Sequence, residues 1–422
     1  MEMISEDAID KIQDFLAERT RREFKIDTRA LLYDSTNFFT HIDTHNGRNV
    51  IAQRGKNKQK RSDLRQVNLA LLATRDFQIP LFHKAYEGDT PDVKFFPEVV
   101  RNLLSRHAAI FGHLGDATLI FDKGNLSEET QEKLLYSETY FVAGRKAEIL
   151  PEIFATPIDQ FQDALMMPGT KFYESTVELY GKSCKAVVSY SESFFTQQLA
   201  SLTATMTKCQ DKLKDLHNYL LSWTGEKKPK GPRPTTVKVK QRLKQILSAQ
   251  HMDSVFTVTL ETYEGLPYMR YSVNRQELDR LTSMRLGRTL LVTNRLNWLP
   301  TEIIASYRDL ANIEEAFKLM KNRDYLRWQP AFHWTDQKIK VHTLYCVLAL
   351  LLATLARKMA WEAGVEVSLP VLLDDLSKMK EVALLYPDKG DKLKAQFTMN
   401  RMSPRQKKFA ELFGIGEILA NR

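Results

Sequence analysis

The chain has 422 residues, 43% of them hydrophobic and 10% aromatic, which is enough to bury a large core and to build two structural units. Lys and Arg number 61 against 52 Asp and Glu, a formal charge of +9 with an isoelectric point near 9.2, and that balance leans toward a polyanionic partner. Cys184, Cys209 and Cys346 stand far apart in no ligand-spaced pattern, which excludes a disulfide framework and a cysteine zinc site and gives the expectation of a reducing, cytoplasmic setting.

The N-terminus, MEMISEDAIDKIQDFLAERT, is charged and helix-like, unlike a signal peptide. Residues 1 to 25 read as an amphipathic helix that ends in the basic cluster RTRREFK. A strand is expected over 29 to 45, with a turn at His45-Asn46-Gly47, and then a basic loop from Arg54 to Arg65. Val67 to Thr74 is a short apolar run bounded by charge, hence a central strand, and Ile79 to Ala85 is the next. A helix over Asp92 to Phe111, a buried strand over Ala117 to Phe121, a helix capped by Ser127 and a strand over Thr139 to Ala143 come next. This order is that of an RNase H-like α/β domain, a mixed sheet flanked by helices.

The pattern then breaks. Phe172 to Tyr190 and Ser254 to Asn274 read as β, and Ser191 to Trp223 and Thr235 to Ala249 as helices joined by the linker TGEKKPKGPRP. Thr289 to Thr293 returns to a buried strand, and Pro300 opens a helix at its first turn. The apolar run Thr343 to Ala356 is 14 residues long, short of the roughly 20 that a membrane helix needs, so a buried core helix is expected and no membrane. The resulting division is an N-terminal helical segment over 1–27, a core in two parts over 28–146 and 286–360, a β-rich and helical insertion over 147–285, and a C-terminal helical region over 361–422.

The chemistry rests on three acids. Asp34 in ALLYDSTNF and Asp122 in ATLIFDKGN each stand near the end of an expected strand, and Glu314 stands in YRDLANIEEAFKLMK. In that last stretch Tyr307, Glu314 and Lys321 recur at intervals of seven, close to two helical turns, and so form one stripe. Three acids from two strands and a helix are what a two-metal phosphoryl-transfer site needs. On the residues alone, an Asx-turn also explains Asp34 and Asp122, and a solvated helix face beside Glu315 also explains Glu314. No Walker A loop, Rossmann glycine pattern, HExxH or GxSxG context is present, which excludes the chemistries they carry.

These motifs resemble the DDE transposases of bacterial insertion sequences, the branch marked by a Tyr-x2-Arg-x3-Glu-x6-Lys helix. The segment Arg54 to Asp92 is similar to the family's stretch after its first aspartate, LIFDKGNLSEE to its second-aspartate segment, and Leu326 to Leu352 to its segment after the glutamate. The resemblance covers residues 28 to 146 and 285 to 360. It implies an RNase H-like core interrupted by an insertion ahead of the glutamate helix, with Asp34, Asp122 and Glu314 as catalytic, metal-holding residues. It also implies two Mg²⁺ or Mn²⁺ ions as cofactors. The partner it implies is double-stranded DNA, both terminal inverted repeats and target, bound by a dimer.

DNA contacts are expected at Tyr307 and Lys321, which the resemblance implies grip phosphates, and at Arg308, Lys123, Arg54, Lys56, Lys58, Arg61, Lys238 and Lys240. His333 and Trp334 also match the family's pattern. Two features depart from it. Leu310 stands where the family has arginine, with Arg308 as the nearby substitute. Only 33 residues precede Asp34, where members usually carry a longer segment, and this gives the expectation of a truncated or degenerate copy or of a start at an internal methionine. The alternatives to an active transposase are a non-catalytic DNA-binding remnant and an RNase H-like DNA nuclease.

Overall fold

The computed structural model describes residues 3–43, 45–57, 59–106, 117–125, 127–136, 139–225, 229–328, 331–387 and 393–420. Its frame is a mixed α/β arrangement around a nine-stranded sheet. In chain order the strands are β1 (Ala30–Thr40), β2 (Arg65–Thr74), β3 (Pro80–Glu87), β4 (Thr118–Phe121), β5 (Tyr140–Arg145), β6 (Gln162–Asp163), β7 (Thr170–Leu179), β8 (Lys182–Ser191), β9 (Phe256–Tyr263), β10 (Leu266–Val273), β11 (Arg288–Thr293), β12 (Glu381–Pro387) and β13 (Leu393–Met399). The sheet order is β3-β2-β1-β4-β5-β11-β8-β7-β6. β1, β2 and β3 run antiparallel, β4 and β5 lie parallel to β1, and the rest are antiparallel. The first five strands are compatible with the RNase H-like order expected from the sequence.

Both faces of this sheet are covered. Tyr33, Leu72, Phe121 and Phe141 pack on one side with helix Asp92–Ser105, and Leu32, Leu71, Ile120 and Val142 on the other with helix Leu310–Lys321. That is why β2 and β4 read as nearly unbroken apolar runs instead of alternating. Helix Glu6–Glu23 starts where the Ser5 side chain accepts the Ala8 N–H, and it docks on the β3 edge, where Gln13 accepts the His83 backbone N–H at 2.8 Å.

Three readings change. Phe172 to Tyr190 is a hairpin, because Tyr180 and Gly181 both take positive φ (49° and 72°) and so make a two-residue turn. β8 pairs with β11, so this part of the stretch expected as an insertion prolongs the main sheet. Ser254 to Asn274 is likewise a hairpin, turned at Glu264 and Gly265. Helices Glu192–Ser222, Thr236–Ile246 and Arg275–Met284 gather with it around a core of their own, including Leu213, Leu216, Met252 and Met269. Lastly, the C-terminal region is helical at Leu369–Ser377 and Pro404–Leu412 but also holds the ribbon β12–β13.

The long apolar run belongs to helix Asp336–Glu362, long and apolar enough by length and composition to cross a membrane. In this fold it is a core helix: Val341, Val347, Leu350 and Leu351 are buried among the sheet-covering side chains and the N-terminal helix.

Burial, with Arg106 and Lys84 close by, pushes the His83 imidazole from its ordinary 6.5 to about 3. Between those values the folded state keeps His83 neutral while the unfolded chain binds a proton. Stability therefore falls as pH falls through that window, by at most about 1.4 kcal/mol per pH unit. Urea titrations above and inside the window are expected to show the loss, and His83→Leu is expected to remove this part of it.

Candidate active site

β1 and β4 run side by side in parallel, with Tyr33 opposite Phe121 as the last paired residues. The next residue on each strand is an acid. Asp122 follows directly on the end of β4, whereas Asp34 lies beside it in the middle of β1, still paired with Leu71 of β2 and not near a strand end as the sequence led one to expect; both are half-buried. Side chains alternate along a strand, so these acids face away from Tyr33 and Phe121 and toward the side covered by helix Leu310–Lys321. From that helix Glu314 is exposed while Ile313, Ala316 and Phe317 beside it are buried. All three acids line one cavity of about 410 Å³, with Tyr307, Arg308 and Leu310. Asp34 and Glu314 also border a larger cleft of about 1140 Å³. Glu315 lines neither, which favours Glu314 of the two.

The stripe of Tyr307, Glu314 and Lys321 is divided between two helices, Pro300–Arg308 and Leu310–Lys321, and not carried by one. The joint is slight, since Asp309 keeps a right-handed conformation (φ −66°, ψ −12°) while its carboxylate pairs with Arg75 at 2.5 Å. Tyr307 donates its hydroxyl proton to Asp122 Oδ1 at 2.5 Å. Burial first, and then this bond to Asp122, push the phenol above its ordinary range. The hydroxyl end of the ring comes this close to β5 only because residue 144 is glycine: a Cβ there would stand 2.3 Å from the Tyr307 oxygen. Sequence reasoning passed over Gly144, although a glycine inside an apolar strand is a signal of close approach. Lys321 donates to Thr36 Oγ1 at 2.6 Å and sits 5.3 Å above the Phe38 ring, in the larger cleft. Arg308 reaches across to Thr170 Oγ1 at 2.9 Å.

The other expected contacts separate. Arg54 and Lys56 line the larger cleft with Lys60 of the same basic loop, joined by Lys318, which sequence reasoning did not single out. Arg61 is bound by a two-pronged pair to its neighbour Asp63, and that bond holds the Asp63 carboxyl down at about 2. Lys58 lies outside the described residues. Lys123 is exposed in the turn after Asp122, and Lys238 and Lys240 are exposed on helix Thr236–Ile246; none of the three lines either cavity. His333 packs its ring against His342, and Trp334 offers its carbonyl to Asn46; neither lines the cavities.

Carboxylate oxygens are the hard donors that Mg²⁺ and Mn²⁺ prefer, and a site with few carboxylates leaves room for water and phosphate. In kind, the donor set fits. In placement it is open: among the described residues no three His, Cys, Asp or Glu side chains stand together closely enough to enclose an ion.

No family model matches the chain, and no curated protein matches it. Among solved structures it is similar to a piggyBac transposase synaptic complex with hairpin DNA, at a TM-score of 0.38 and 7% identity. The alignment covers 88% of this chain and 58% of that one, so the chain spans under two thirds of that protein's length.

Proposed function

We propose that this chain is a DNA transposase that cleaves the ends of a mobile element and joins them to target DNA. The observation that carries the reading is the consecutive-register placement of Asp34 and Asp122 on parallel β1 and β4, facing the same cavity as Glu314. Asp34, Asp122 and Glu314 would hold Mg²⁺ or Mn²⁺. When bound, such a pair of ions activates the attacking oxygen and stabilises the leaving one. Tyr307 fixes one oxygen of Asp122 and so orients the carboxylate. Lys321, held by Thr36 over Phe38, presents its ammonium to backbone phosphate in the cleft. Water attack at the element's end frees a 3′-OH, and that hydroxyl then attacks a target phosphate in line, with no covalent protein intermediate. Two copies on two element ends are the expected working assembly.

A second reading has specific support: Leu310 replaces the expected arginine, and the three acids are not drawn together around one point. It is a chain that binds DNA and has lost the chemistry. A labelled duplex bearing the terminal repeat that flanks its gene decides between them. Nicking at the repeat boundary with Mn²⁺ or Mg²⁺, and none with EDTA, is the expected result. Binding without nicking would establish the second reading, and cutting of flaps or hybrids without repeat preference would establish a nuclease instead.

A further inference from the structure

The ribbon β12–β13 takes no part in the acid site. It lies in the chain between helices Leu369–Ser377 and Pro404–Leu412, and those two helices are clasped together: Arg405 pairs with Asp375 at 2.5 Å, and Gln406 Nε2 donates to the Asp375 carbonyl at 2.9 Å. The root of the ribbon is fixed as well. Asn400 donates its backbone N–H to the Lys380 carbonyl at 3.0 Å, its side-chain oxygen accepts the Lys380 N–H at 2.9 Å, and its side-chain amide donates to the Lys378 carbonyl at 2.9 Å. From that root the ribbon is held away from the core. Every side chain from Glu381 to Tyr386 and from Lys394 to Thr398 is exposed, and neither strand pairs with a third one among the described residues.

Its composition is wrong for a surface left in water. Val382, Leu384, Leu385, Tyr386 and Phe397 are 37, 40, 59, 46 and 63% exposed. Together they leave roughly 450 Å² of apolar surface open, the size of patch that marks an interaction site. A two-stranded ribbon on its own is marginal in water. Nor is its partner a polyanion: residues 381–399 hold three acids and three lysines, neutral in a chain of +9. The open edge of β12 is bare too. Val382 to Tyr386 is five residues without charge, proline or bulge, the devices that keep an edge from pairing. The main sheet does protect its edges. On β3 the N-terminal helix takes up the His83 N–H through Gln13, and β6 is two residues long.

We propose that β12 pairs edge to edge with β12 of a second copy of this chain, antiparallel about a two-fold axis at Leu384, making one four-stranded sheet β13-β12-β12-β13. In that register Leu384 meets Leu384 of the partner subunit, Val382 meets the partner's Tyr386 and Ala383 meets the partner's Leu385. All five uncharged residues pair with one another, and Glu381 falls opposite the partner's Pro387, away from a second acid. A second copy is the occupant because the run is self-complementary about its own centre, which is what an isologous contact requires. Two copies bring together at most roughly 900 Å² of this apolar surface, which with the paired backbone lies at the low end of specific interfaces, ~1,200 Å². The dimer is therefore one that dissociates on dilution. This deepens the transposase reading by naming what joins two copies, and rests on it only for the use the dimer is put to.

The test is sedimentation velocity of the full chain without DNA, over a dilution series from high micromolar to nanomolar. Wild type is expected to pass from dimer to monomer. Leu384→Lys and Leu384→Glu each set two like charges at the axis and are expected to weaken self-association roughly tenfold or more. Circular dichroism stays unchanged in both, because the side chain is exposed. Mixing the two variants in equal amounts restores the dimer. Cys184, Cys209 and Cys346 are buried, so an added cysteine reports the contact. Leu384→Cys is expected to form a disulfide dimer faster than Ala383→Cys, since opposed residues stand about 4.5–5.5 Å apart between Cα atoms and only residue 384 meets its own copy. A wild type that stays monomeric throughout the series would overturn the proposal, and so would a Leu384→Lys chain that still dimerises or a mixture that stays monomeric. End cleavage is read apart from this. A dimer that never nicks sinks the transposase reading alone, and nicking by a chain that is monomeric off DNA sinks the ribbon contact alone.

Discussion

Asp34→Asn is expected to lower metal-dependent DNA cleavage by roughly 10³-fold or more while the protein stays folded and still binds DNA. Asparagine has the shape of aspartate, so β1 keeps its pairing with β2 and β4 and the half-buried side chain keeps its space. The substitution removes the negative charge that draws a divalent cation to the junction of the two cavities. Asp34 borders both of them, whereas Asp122 lines only the smaller, which makes Asp34 the acid whose loss touches both the metal and the bound strand. Binding of DNA without metal is expected to hold or tighten, because one anion near the phosphates is gone. Single-turnover cleavage and Mn²⁺ titration by calorimetry, wild type beside variant, read the two effects separately. Undiminished cleavage by Asp34→Asn would remove this residue from the chemistry.

The first half of the fold was legible because its central strands are buried on both faces, a pattern that survives without tertiary information, although β1 runs on past Asp34 to Thr40 where a strand end beside the acid was expected. β2 reads RQVNLALLAT and β4 reads TLIF, and neither has a helical alternative bounded so tightly by charge and turn residues. The two hairpins were harder. The Tyr180-Gly181 and Glu264-Gly265 turns need positive φ at a non-glycine residue, so the usual Asn-Gly or Asp-Gly signal is missing. That β8 would find β11, nearly a hundred residues on, has no local signature at all, because a strand's partner is fixed by what else the sheet edge offers. At the site, the residues at sevenfold spacing were visible, but the division at Asp309 was not. Asp309 itself is paired with Arg75, 234 positions away, a contact with no local signature. Gly144 did carry a signal, a glycine in an apolar strand, but which ring comes to rest against it is set by the tertiary fold.

Trp328→Ala is expected to cost about 3–5 kcal/mol, toward the lower end. The ring is fully buried and stacks on Phe38 at 4.2 Å between centroids, with the edge of His342 at 5.1 Å. Truncation to a methyl group opens a cavity between β1 and the helix that carries Glu314, where neither element can move in freely. The helix end is pinned by the Trp328 backbone N–H on the Met320 carbonyl, and the Trp328 carbonyl accepts from His342 Nε2. The indole N–H has no protein partner, so its removal returns part of the burial cost and draws the figure down. The effect does not stop at stability. Phe38 is the ring beneath the Lys321 ammonium, and without its stacking partner it is free to tilt, taking with it the cation–π support of Lys321. Urea unfolding is therefore expected to show the loss of stability, and the variant, assayed well below its transition, a weaker hold on duplex DNA. Trp328→Phe, which refills most of the space against Phe38, is expected to recover most of both. A loss under about 1 kcal/mol in Trp328→Ala, below what truncating a core aromatic costs, would mean that the site helix is not braced through this ring.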